Sequence, residues 1–409
     1  MIKAAVLGFG VVGSGVVDLI YQNNDRVKKG AGEEICIKYI LDLRDFPDSP
    51  YRDKLVKDFD VILNDPEVTL IAECMGGSHP AYDFSLAALK KGKSVVTSNK
   101  ETVAKFGHEL LAAARENGAF YLFEASVGGG TPVIRPLSKC LAANNIEEVC
   151  GILNGTTNYI LTMMNKYSES FDTALLSAQE KGYAERDPSD DINGVDTCRK
   201  ICILTDIVTG SFCNPAEVST TGITAIRPED VKTVEKWGGA IKLLGRCRKI
   251  GDKYSVMVAP FVVPDARIIA GGDGVFNAVS FTADAAGEVT LCGRGAGKMP
   301  TASAMVSDMM DAVSGKAYRA EWKSPEDTDK NVFASSDETP DVFLVSFEKG
   351  AHDVLKCVSG EFGEVRVIGE SDTELYVMTE SMTGADCQAR ISSLKKLGIT
   401  SKTVLRALI

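Results

Sequence analysis

Short apolar runs alternate with amphipathic stretches along the first third of the chain. The apolar runs are predicted strands, and they cover residues 3–7, the segment ICIKYILD that ends at Asp42, and residues 69–76, 93–99 and 120–126. The stretches between them have the periodicity of helices. Strands that alternate with helices predict a parallel, doubly wound sheet, in which ligands bind at the carboxyl ends of the strands.

A glycine-rich motif, GFGVVG, follows the first predicted strand and opens the first predicted helix. Gly8 permits a tight turn, Gly10 lets the backbone approach a pyrophosphate, and Gly13 lets the helix pack closely on the strand. The free N–H groups of the helix N-terminus would then bind the phosphates. Such a motif can also be a structural turn, but its strand–turn–helix context favours a dinucleotide site. We therefore predict that cofactor is bound by Gly8, Phe9, Gly10, Val11, Val12 and Gly13.

The end of the second strand bears on the choice of cofactor. Asp42 could bond the ribose hydroxyls of NAD, whereas Arg44 could hold the 2′-phosphate of NADP. The alternative is that both are solvated loop charges. Asp42 lies further from the glycines than the ~20 residues usual in this fold, and we attribute the difference to a longer polar connection, NNDRVKKGAGEE. These residues favour NAD over NADP.

Other predicted strand ends also carry glycine or polar residues. Gly76 is predicted to lie beside the cofactor, and three glycines at 128–130 follow another strand. Lys100 comes directly after a strand, where a cation could contact the substrate or the nicotinamide. The alternative for Lys100 is an ordinary solvent-exposed charge at the start of a helix.

The stretch GYAERDPSDDINGVDTCRK, residues 182–200, places five carboxylates ahead of a terminal lysine. Its Pro, Asp and Ser residues predict a loop over 185–192, and the apolar pattern predicts a buried helix over 195–208. Asp196 and Lys200 are spaced i and i+4, so they share a face of this helix. They form either a surface ion pair or a buried pair in which desolvation lowers the pKa of the lysine. The residues alone leave both interpretations open.

The remaining pattern predicts two further units. The segment from Asn154, NGTTNYIL, predicts a strand end, a glycine turn and a Thr-capped helix. Residues 147–153, 254–263 and 276–292 predict a second sheet that could mediate pairing between protomers. A helix over 301–313 is expected to return to the nucleotide-binding domain.

The C-terminal pattern differs again. Residues 316–340 are polar and predict a linker with extended pieces, whereas residues 341–409 follow the order βαββαβ. The predicted fold class is therefore α/β. A Rossmann-type nucleotide-binding domain would cover residues 1–140 and be completed by about 293–315, with an α+β substrate-binding domain over 141–292 and the βαββαβ domain at the C-terminus.

The composition excludes several classes of function. Of 409 residues, 44% are hydrophobic and 25% charged, as in a globular protein of two or three domains. The net charge of −11 excludes nucleic acid and an anionic membrane as expected partners. We expect a cytoplasmic protein, because no apolar run could span a bilayer, the N-terminus does not resemble a signal peptide, and the eleven cysteines include no CxxC pair.

Six motifs resemble, in this order over residues 1–310, those of the homoserine dehydrogenase family: GFGVVG, TSNKE, EASVGGGTP, GILNGTTNYIL, GYAERDPSDDINGVDTCRK and GRGAGKMPTASA. The resemblance implies NAD(P)-dependent interconversion of L-homoserine and L-aspartate 4-semialdehyde, in the threonine and methionine branch of aspartate metabolism. It also implies a homodimer or homotetramer, with residues 141–292 serving for dimerisation as well as for substrate binding.

The resemblance also implies roles for charged residues. Lys200 matches the family's proposed proton-transfer lysine, and Lys100 matches a second active-site lysine near the nicotinamide and the substrate hydroxyl. Glu185 and Asp196 match substrate-binding acids, and Asp191 matches a further active-site acid. Carboxylates can hold the substrate ammonium, and a lysine can hold the substrate carboxylate or exchange the proton of the reacting oxygen. Which lysine carries the proton stays open.

Further matches concern the cofactor and a cation. Gly182 and Gly297 match glycines beside the cofactor. A monovalent-cation site of the family, built largely from carbonyl oxygens that suit a hard ion such as sodium, matches Glu124, Val127, Gly129 and Thr131. The chain departs from many members at Leu41, where an arginine often precedes the acid, and this weakens an NADP assignment.

The C-terminal βαββαβ domain, residues 341–409, resembles an ACT-type ligand-sensing module. The resemblance implies feedback by an amino-acid effector such as threonine, and the alternative is a structural or dimer-forming appendage. Two other functions stay open for the whole chain, a dehydrogenase of another amino-acid semialdehyde or alcohol and a non-catalytic dinucleotide-binding sensor. The joint presence of Lys100, Lys200, Glu185 and Asp196 argues against the sensor.

Overall fold

The computed structural model describes residues 1–350 and 353–409. The N-terminal domain has the strands β1 (Ile2–Leu7), β2 (Ile35–Leu41), β3 (Leu55–Val56), β4 (Val68–Glu73), β5 (Ser94–Thr97) and β6 (Tyr121–Leu122). Its helices are α1 (Val11–Gln22), α2 (Asn24–Ala31), α3 (Phe59–Asn64), α4 (Ala81–Lys90) and α5 (Lys100–Glu116). The strands pair in parallel in the order β3-β2-β1-β4-β5-β6, which confirms the predicted doubly wound sheet.

The register of this sheet brings the predicted cofactor residues to one edge. Leu7 pairs with both Leu41 and Glu73, and Glu73 pairs with Thr97. The segments that follow these strands therefore leave the sheet side by side. They carry the glycine motif, Asp42, Gly76 and Lys100, as the sequence pattern predicts for a parallel sheet.

The polar connection between the first two strands, for which the sequence pattern predicted no separate element, contains a helix. Helix α2 buries Val27 and Ala31, which are spaced i and i+4 on one face, and it ends at Gly32 with φ +83°. Gly30 on this helix faces Met310, whose methyl carbon would lie 2.0 Å from an added Cβ. Two apolar residues in a polar segment were too weak a signal to predict this helix, because α2 packs on a helix that lies far along the chain.

The second domain is built on a mixed sheet. Its strands are β7 (Ile146–Ile152), β8 (Ser219–Thr220), β9 (Gly239–Ile250), β10 (Lys253–Pro264), β11 (Phe276–Ala283) and β12 (Gly287–Arg294). Its helices are α6 (Gly155–Tyr167), α7 (Phe171–Glu180), α8 (Ser189–Ile192), α9 (Val195–Thr209) and α10 (Pro228–Trp237). The main strands run antiparallel in the order β12-β11-β7-β9-β10. Helix α9 packs closely on this sheet because Gly245 of β9 has no side chain. A Cβ added at Gly245 would lie 3.0 Å from the Cβ of Ile201.

A long helix then returns to the N-terminal domain, as predicted. Helix α11 (Lys298–Ser314) packs along α1 and α2. Lys298 forms an ion pair of 2.8 Å with Asp18, and Gly15 on α1 admits the side chain of Ala302. The chain therefore crosses from the second domain back to the first, and the two domains share one main apolar cluster.

The segment 316–340 is packed, so the prediction of a polar linker is wrong for part of it. Tyr318 and Trp322 are buried against the N-terminal domain, where Trp322 meets the ring of Phe123 edge-on at 5.7 Å. An added Cβ on Gly107 would lie 2.3 Å from the indole. A short strand, β13 (Phe333–Ala334), also pairs with β10. The aromatic anchors escaped prediction because they stand singly in a charged segment.

The C-terminal domain has the predicted βαββαβ order. Its elements are β14 (Pro340–Glu348), α12 (Val354–Phe362), β15 (Val365–Glu370), β16 (Glu374–Thr379), a short β17 (Met382–Thr383), α13 (Gly384–Lys396) and β18 (Ser401–Ala407). The sheet order is β18-β14-β16-β15, a ferredoxin-like arrangement with its own apolar cluster. Strand β18 also pairs in parallel with β10 of the second domain, so the two sheets are continuous.

Buried ion pairs reinforce this junction. Arg246 of β9 pairs with Glu148 of β7 at 2.7 Å and with Asp341 of β14 at 2.6 Å. Arg227, at the start of α10, pairs with Glu374 of β16 at 2.7 Å. The C-terminal domain is therefore held to the sheet of the second domain by side chains as well as by backbone. No helix in the described part of the chain is long and apolar enough to cross a membrane.

The packing of segment 316–340 makes a stability prediction. Trp322→Ala should lower the free energy of unfolding by about 3–5 kcal/mol, because it leaves a cavity between Gly107 and Phe123. Chemical denaturation followed by circular dichroism measures this change. The neighbouring exposed residue provides the control, since Lys323→Ala should shift stability by less than about 0.5 kcal/mol. Equal, small effects of both substitutions would show that the segment is only a linker.

Candidate active site

The glycine motif has the conformation that a dinucleotide loop needs. Gly8 has φ +89°, and an added Cβ on Gly13 would lie 1.9 Å from the carbonyl oxygen of Gly8. Gly10 caps α1 without a side chain, and no acidic residue occupies the first turn of that helix. Its first N–H groups and positive dipole end thus lie at the carboxyl edge of the sheet, where they can accept a pyrophosphate.

Asp42 and Arg44 form a tight pair beside this loop. The Asp42 carboxylate accepts hydrogen bonds from the Phe9 amide at 2.8 Å and from the Arg44 guanidinium at 2.8 and 3.0 Å. The Arg44 guanidinium, opposed by partial burial, holds the pKa of Asp42 well below its usual range. The Asp42 carboxylate is nearly buried, whereas 63% of the Arg44 side chain is exposed. Asp42 is therefore not a solvated loop charge, and Arg44 is the member of the pair that faces outward.

Two neighbouring strand ends are tied together by side chains. Asn99 caps α5 by accepting from the Thr102 amide, and it donates to the Gly77 carbonyl at 2.7 Å. The buried Glu73 accepts from the Met75 amide at 2.6 Å, and burial raises the pKa of Glu73 to about 7. These bonds hold the loop that contains Gly76 against the start of the helix that begins with Lys100.

Asp196 lies between two lysines at the boundary of the first and second domains. Its Oδ2 accepts from Lys200 Nζ at 2.8 Å, and its Oδ1 forms an ion pair with Lys100 Nζ. Lys200 also donates to the carbonyl of Leu153 at 2.7 Å. The side chains of Asp196 and Lys200 are 3% and 10% exposed, so this is the buried pair and not the surface pair.

Burial determines how these groups titrate. Desolvation lowers the pKa of Lys200, with a further lowering from the positive charge of Lys100, and the Asp196 carboxylate only partly offsets it. Burial alone would raise the pKa of Asp196, but the charges of Lys200 and Lys100 hold it well below the usual value. The cluster therefore contains a permanent carboxylate and a lysine that loses its proton more readily than a lysine in water.

A further acid and an asparagine complete the cluster. Asn154 Nδ2 donates to Asp191 Oδ1 at 2.7 Å and to Asp196 Oδ2 at 2.9 Å. Burial raises the pKa of Asp191. Asn154 also caps α6, so the prediction of a Thr cap is wrong: the Asn154 Oδ1 accepts from the Thr157 amide at 2.8 Å. The sequence interpretation missed Asn154 as a site residue, although its place between a strand and a helix start was a usable signal.

The structure does not gather every predicted residue into this cluster. The side chain of Glu185 is exposed. Its backbone carbonyl accepts a hydrogen bond from the side-chain amide of Gln179. Gly182 has φ +71° and lies exposed on the same loop, and Gly297 has φ +118° at the start of α11. The predicted loop over 185–192 is shorter than expected, because its last four residues form α8.

The predicted cation loop is buried and tightly turned. The carboxylate of Glu124 accepts from the amides of Val133, Ile134 and Arg135 at 2.7–2.9 Å, so this side chain caps a helical turn. Gly129 has φ +57°, and an added Cβ there would lie 2.2 Å from the carbonyl oxygen of Gly295. The loop from Glu124 to Thr131, which includes Val127, thus packs against the segment leading to Gly297 and α11.

Comparisons with known proteins agree with the motif resemblance. The family models "Homoserine dehydrogenase, NAD binding domain" and "Homoserine dehydrogenase" match residues 8–124 and 132–310. The homoserine dehydrogenase of Bacillus subtilis is 34% identical over 98% of this chain and 96% of that protein. The crystal structure of a homoserine dehydrogenase from Thiobacillus denitrificans superposes with a TM-score of 0.89 at 30% identity, covering 99% of this chain and 98% of that one. A hyperthermophilic archaeal homoserine dehydrogenase in complex with NADPH has a TM-score of 0.66 at 26% identity, covering 78% and 99%.

Proposed function

Because the chain belongs to the homoserine dehydrogenase family, we propose that the cluster of Lys100, Asp196 and Lys200 interconverts L-homoserine and L-aspartate 4-semialdehyde. The chain is an NAD(P)-dependent oxidoreductase. One observation carries the assignment of the site, the Asp196 carboxylate buried between two ammonium groups at the end of the nucleotide-binding sheet. That position is where a substrate would meet a nicotinamide bound on the glycine motif.

Lys200 is the proposed proton carrier. Bound NAD(P) supplies the hydride acceptor for oxidation of the alcohol and the hydride donor for reduction of the aldehyde. During oxidation, neutral Lys200 Nζ takes the proton of the substrate hydroxyl, and during reduction the ammonium returns it. The lowered pKa of Lys200 supports this role, because it increases the neutral fraction at moderate pH.

The other charged residues hold substrate and lysines in place. Asp196 bonds both lysines and so orients them, and we assign substrate binding chiefly to Asp191, which lies in the same cluster. The exposed side chain of Glu185 is available for the substrate ammonium. Lys100, with 39% of its side chain exposed, is placed to bond the reacting oxygen or the substrate carboxylate.

Removing the charge of Lys200 tests the proton-transfer role. Lys200→Met should lower kcat in both directions by roughly 10²–10⁴-fold, the range of a general acid or base. In the wild type, the ascending limb of homoserine oxidation against pH should lie below the ~10.4 of free lysine, because the folded pKa is lowered. Lys105→Met, an exposed residue on α5, is the control and should leave the rate unchanged. Normal turnover by Lys200→Met would refute the assignment.

The pair of Asp42 and Arg44 is proposed to set the cofactor preference. Asp42 is already occupied by Arg44 and the Phe9 amide, which leaves the outward guanidinium to meet a 2′-phosphate. This geometry supports use of NADP as well as NAD, and so moves the balance away from the preference for NAD inferred from sequence.

Arg44→Ala should separate the two cofactors. We expect KM for NADP to rise about 10- to 100-fold through loss of a charged hydrogen bond, while KM for NAD stays constant or falls because the Asp42 carboxylate is freed. Initial rates with each cofactor measure the effect. Arg52→Ala removes an exposed charge elsewhere on the domain and serves as the control. An equal change for both cofactors would contradict a role for Arg44 in selection.

The loop from Glu124 to Thr131 is proposed to bind a monovalent cation such as sodium. Because three amides already occupy the Glu124 carboxylate, this residue would offer its carbonyl oxygen, as would Val127 and Gly129. Carbonyl ligands suit a hard ion of low charge. The packing of this loop on the segment before Gly297 supports a structural role for the ion, in which it holds the two domains in register.

The C-terminal domain is proposed to be an ACT-like regulatory module, with an amino acid such as L-threonine as effector. Its ferredoxin-like sheet order supports the fold assignment, and the pairing of β18 with β10 offers a direct route to the sheet on which α9 packs. We also propose that the protein forms a homodimer or homotetramer, as the family resemblance implies.

Titration with L-threonine tests regulation. The full chain should show a lower rate or a weaker apparent affinity for homoserine as L-threonine rises, with no effect of D-threonine as the stereochemical control. Initial rates over a grid of substrate and effector concentrations separate the two effects. If L-threonine and D-threonine behave alike, the domain is a structural or oligomer-forming element.

A further inference from the structure

We propose that Asn154 is a positioning residue, which holds Asp191 and Asp196 together and thereby sets the environment of Lys200. The inference rests on the proposed roles of these charged residues. It is carried by the hydrogen bonds of one buried side chain, whose four contacts join three separate segments of the second domain.

The orientation of the Asn154 amide is determined by its partners. On one side, Oδ1 accepts from the backbone amide of Thr157 at 2.8 Å and from its hydroxyl at 3.0 Å. On the other side, Nδ2 faces the carboxylates of Asp191 and Asp196, which can only accept when ionised. A flipped amide would place oxygen against two carboxylates and nitrogen against a backbone N–H. The donor pair must therefore point at the acids.

The backbone turn that contains Asn154 also contacts Lys200, the proposed base. The carbonyl of Leu153, the residue before Asn154, accepts from Lys200 Nζ at 2.7 Å. Two consecutive residues at the end of β7 thus contact Lys200, Asp196 and Asp191. These three groups lie on α8 and α9, and the turn gives them a common reference point that neither helix supplies by itself.

The neutral amide of Asn154 donates two hydrogen bonds at a position where two carboxylates repel each other. Asp191 and Asp196 are like charges near each other, and burial raises the pKa of Asp191. The hydrogen bonds from Asn154 stabilise both anions without adding a third ammonium. Without them, Asp191 would tend to take a proton or turn away, and Asp196 would lose one of the bonds that orient it toward Lys200.

Helix capping and positioning can be separated experimentally, because Ser and Asp are also good N-cap residues. Asn154→Ser keeps an oxygen for the Thr157 amide but is too short to reach the two acids. Asn154→Asp keeps the size and the cap but presents an acceptor where a donor is needed. Ser170→Ala removes an exposed cap from α7 and reports the effect of losing a cap away from the site.

Both N154S and N154D should bind NADPH yet lose about 10- to 100-fold in kcat, the effect of a modest misplacement of catalytic groups. N154S should melt near the wild-type temperature, whereas N154D should melt earlier because it adds a carboxylate beside Asp191 and Asp196. The charges around Lys200 are Asp196 on its own helix, Lys100 from α5 and Asp191 from α8. A carboxylate added by N154D favours the ammonium form, so the ascending limb of homoserine oxidation should move to higher pH in N154D. S170A should melt earlier but keep its kcat and pH profile.

The inference would be overturned by N154S that retains wild-type kcat together with an unshifted limb in N154D. If N154S does not fold, the kcat of N154D decides, since an aspartate maintains both cap and volume but cannot donate to Asp191 and Asp196. Wild-type kcat in N154D would then overturn the inference. The result for Lys200→Met is independent. Inactive Lys200→Met with wild-type N154S and N154D removes only the role of Asn154, whereas active Lys200→Met removes the lysine assignment itself.

Discussion

A carboxylate buried between two lysines is the interaction on which the arrangement of this molecule depends. Taking the charge of Asp196 or of Lys200 out of water alone would be strongly unfavourable, so each requires its partners in place. Lys100 opens a helix of the nucleotide-binding domain, whereas Asp196 and Lys200 lie on a helix of the second domain. The ion pairs around Asp196 can therefore form only where the two domains meet.

The rest of the fold brings those charges together. Parallel pairing of the first sheet places the start of α5 beside the glycine motif. In the second domain, Gly245 lets α9 sit directly on the mixed sheet, and the turn after β7 offers the Leu153 carbonyl to Lys200. Helix α11 then returns to pack on α1, which ties the second domain back to the first. Strand β18 extends the same mixed sheet into the C-terminal domain, so that domain is continuous with the sheet on which α9 packs.

Local pattern predicted the parts of the fold whose cause is local. The strand–glycine–helix motif and the βαββαβ order both follow from short-range periodicity, and both are present. The errors concern elements whose cause is distant. Helix α2 was treated only as a polar connection because Val27 finds its apolar surroundings only after folding. Trp322 was placed in a linker because Gly107, which it packs against, lies far away in the sequence. The cap of α6 was assigned to threonine because the sequence does not show that the Asn154 side chain accepts from the Thr157 amide.

Local sequence is enough to place Asp196 and Lys200 on one helix face and to predict a glycine turn from Gly8 to Gly13 before α1. Spacing and backbone freedom are properties of a few consecutive residues. The burial of Lys200, the hydrogen bonds from Asn154 to two acids and the ion pair between Arg44 and Asp42 follow only from the three-dimensional packing. Burial and hydrogen-bond partners depend on which distant segments exclude water from a side chain. Water exclusion makes the difference between a surface charge and a proton carrier, and no stretch of sequence contains that information on its own.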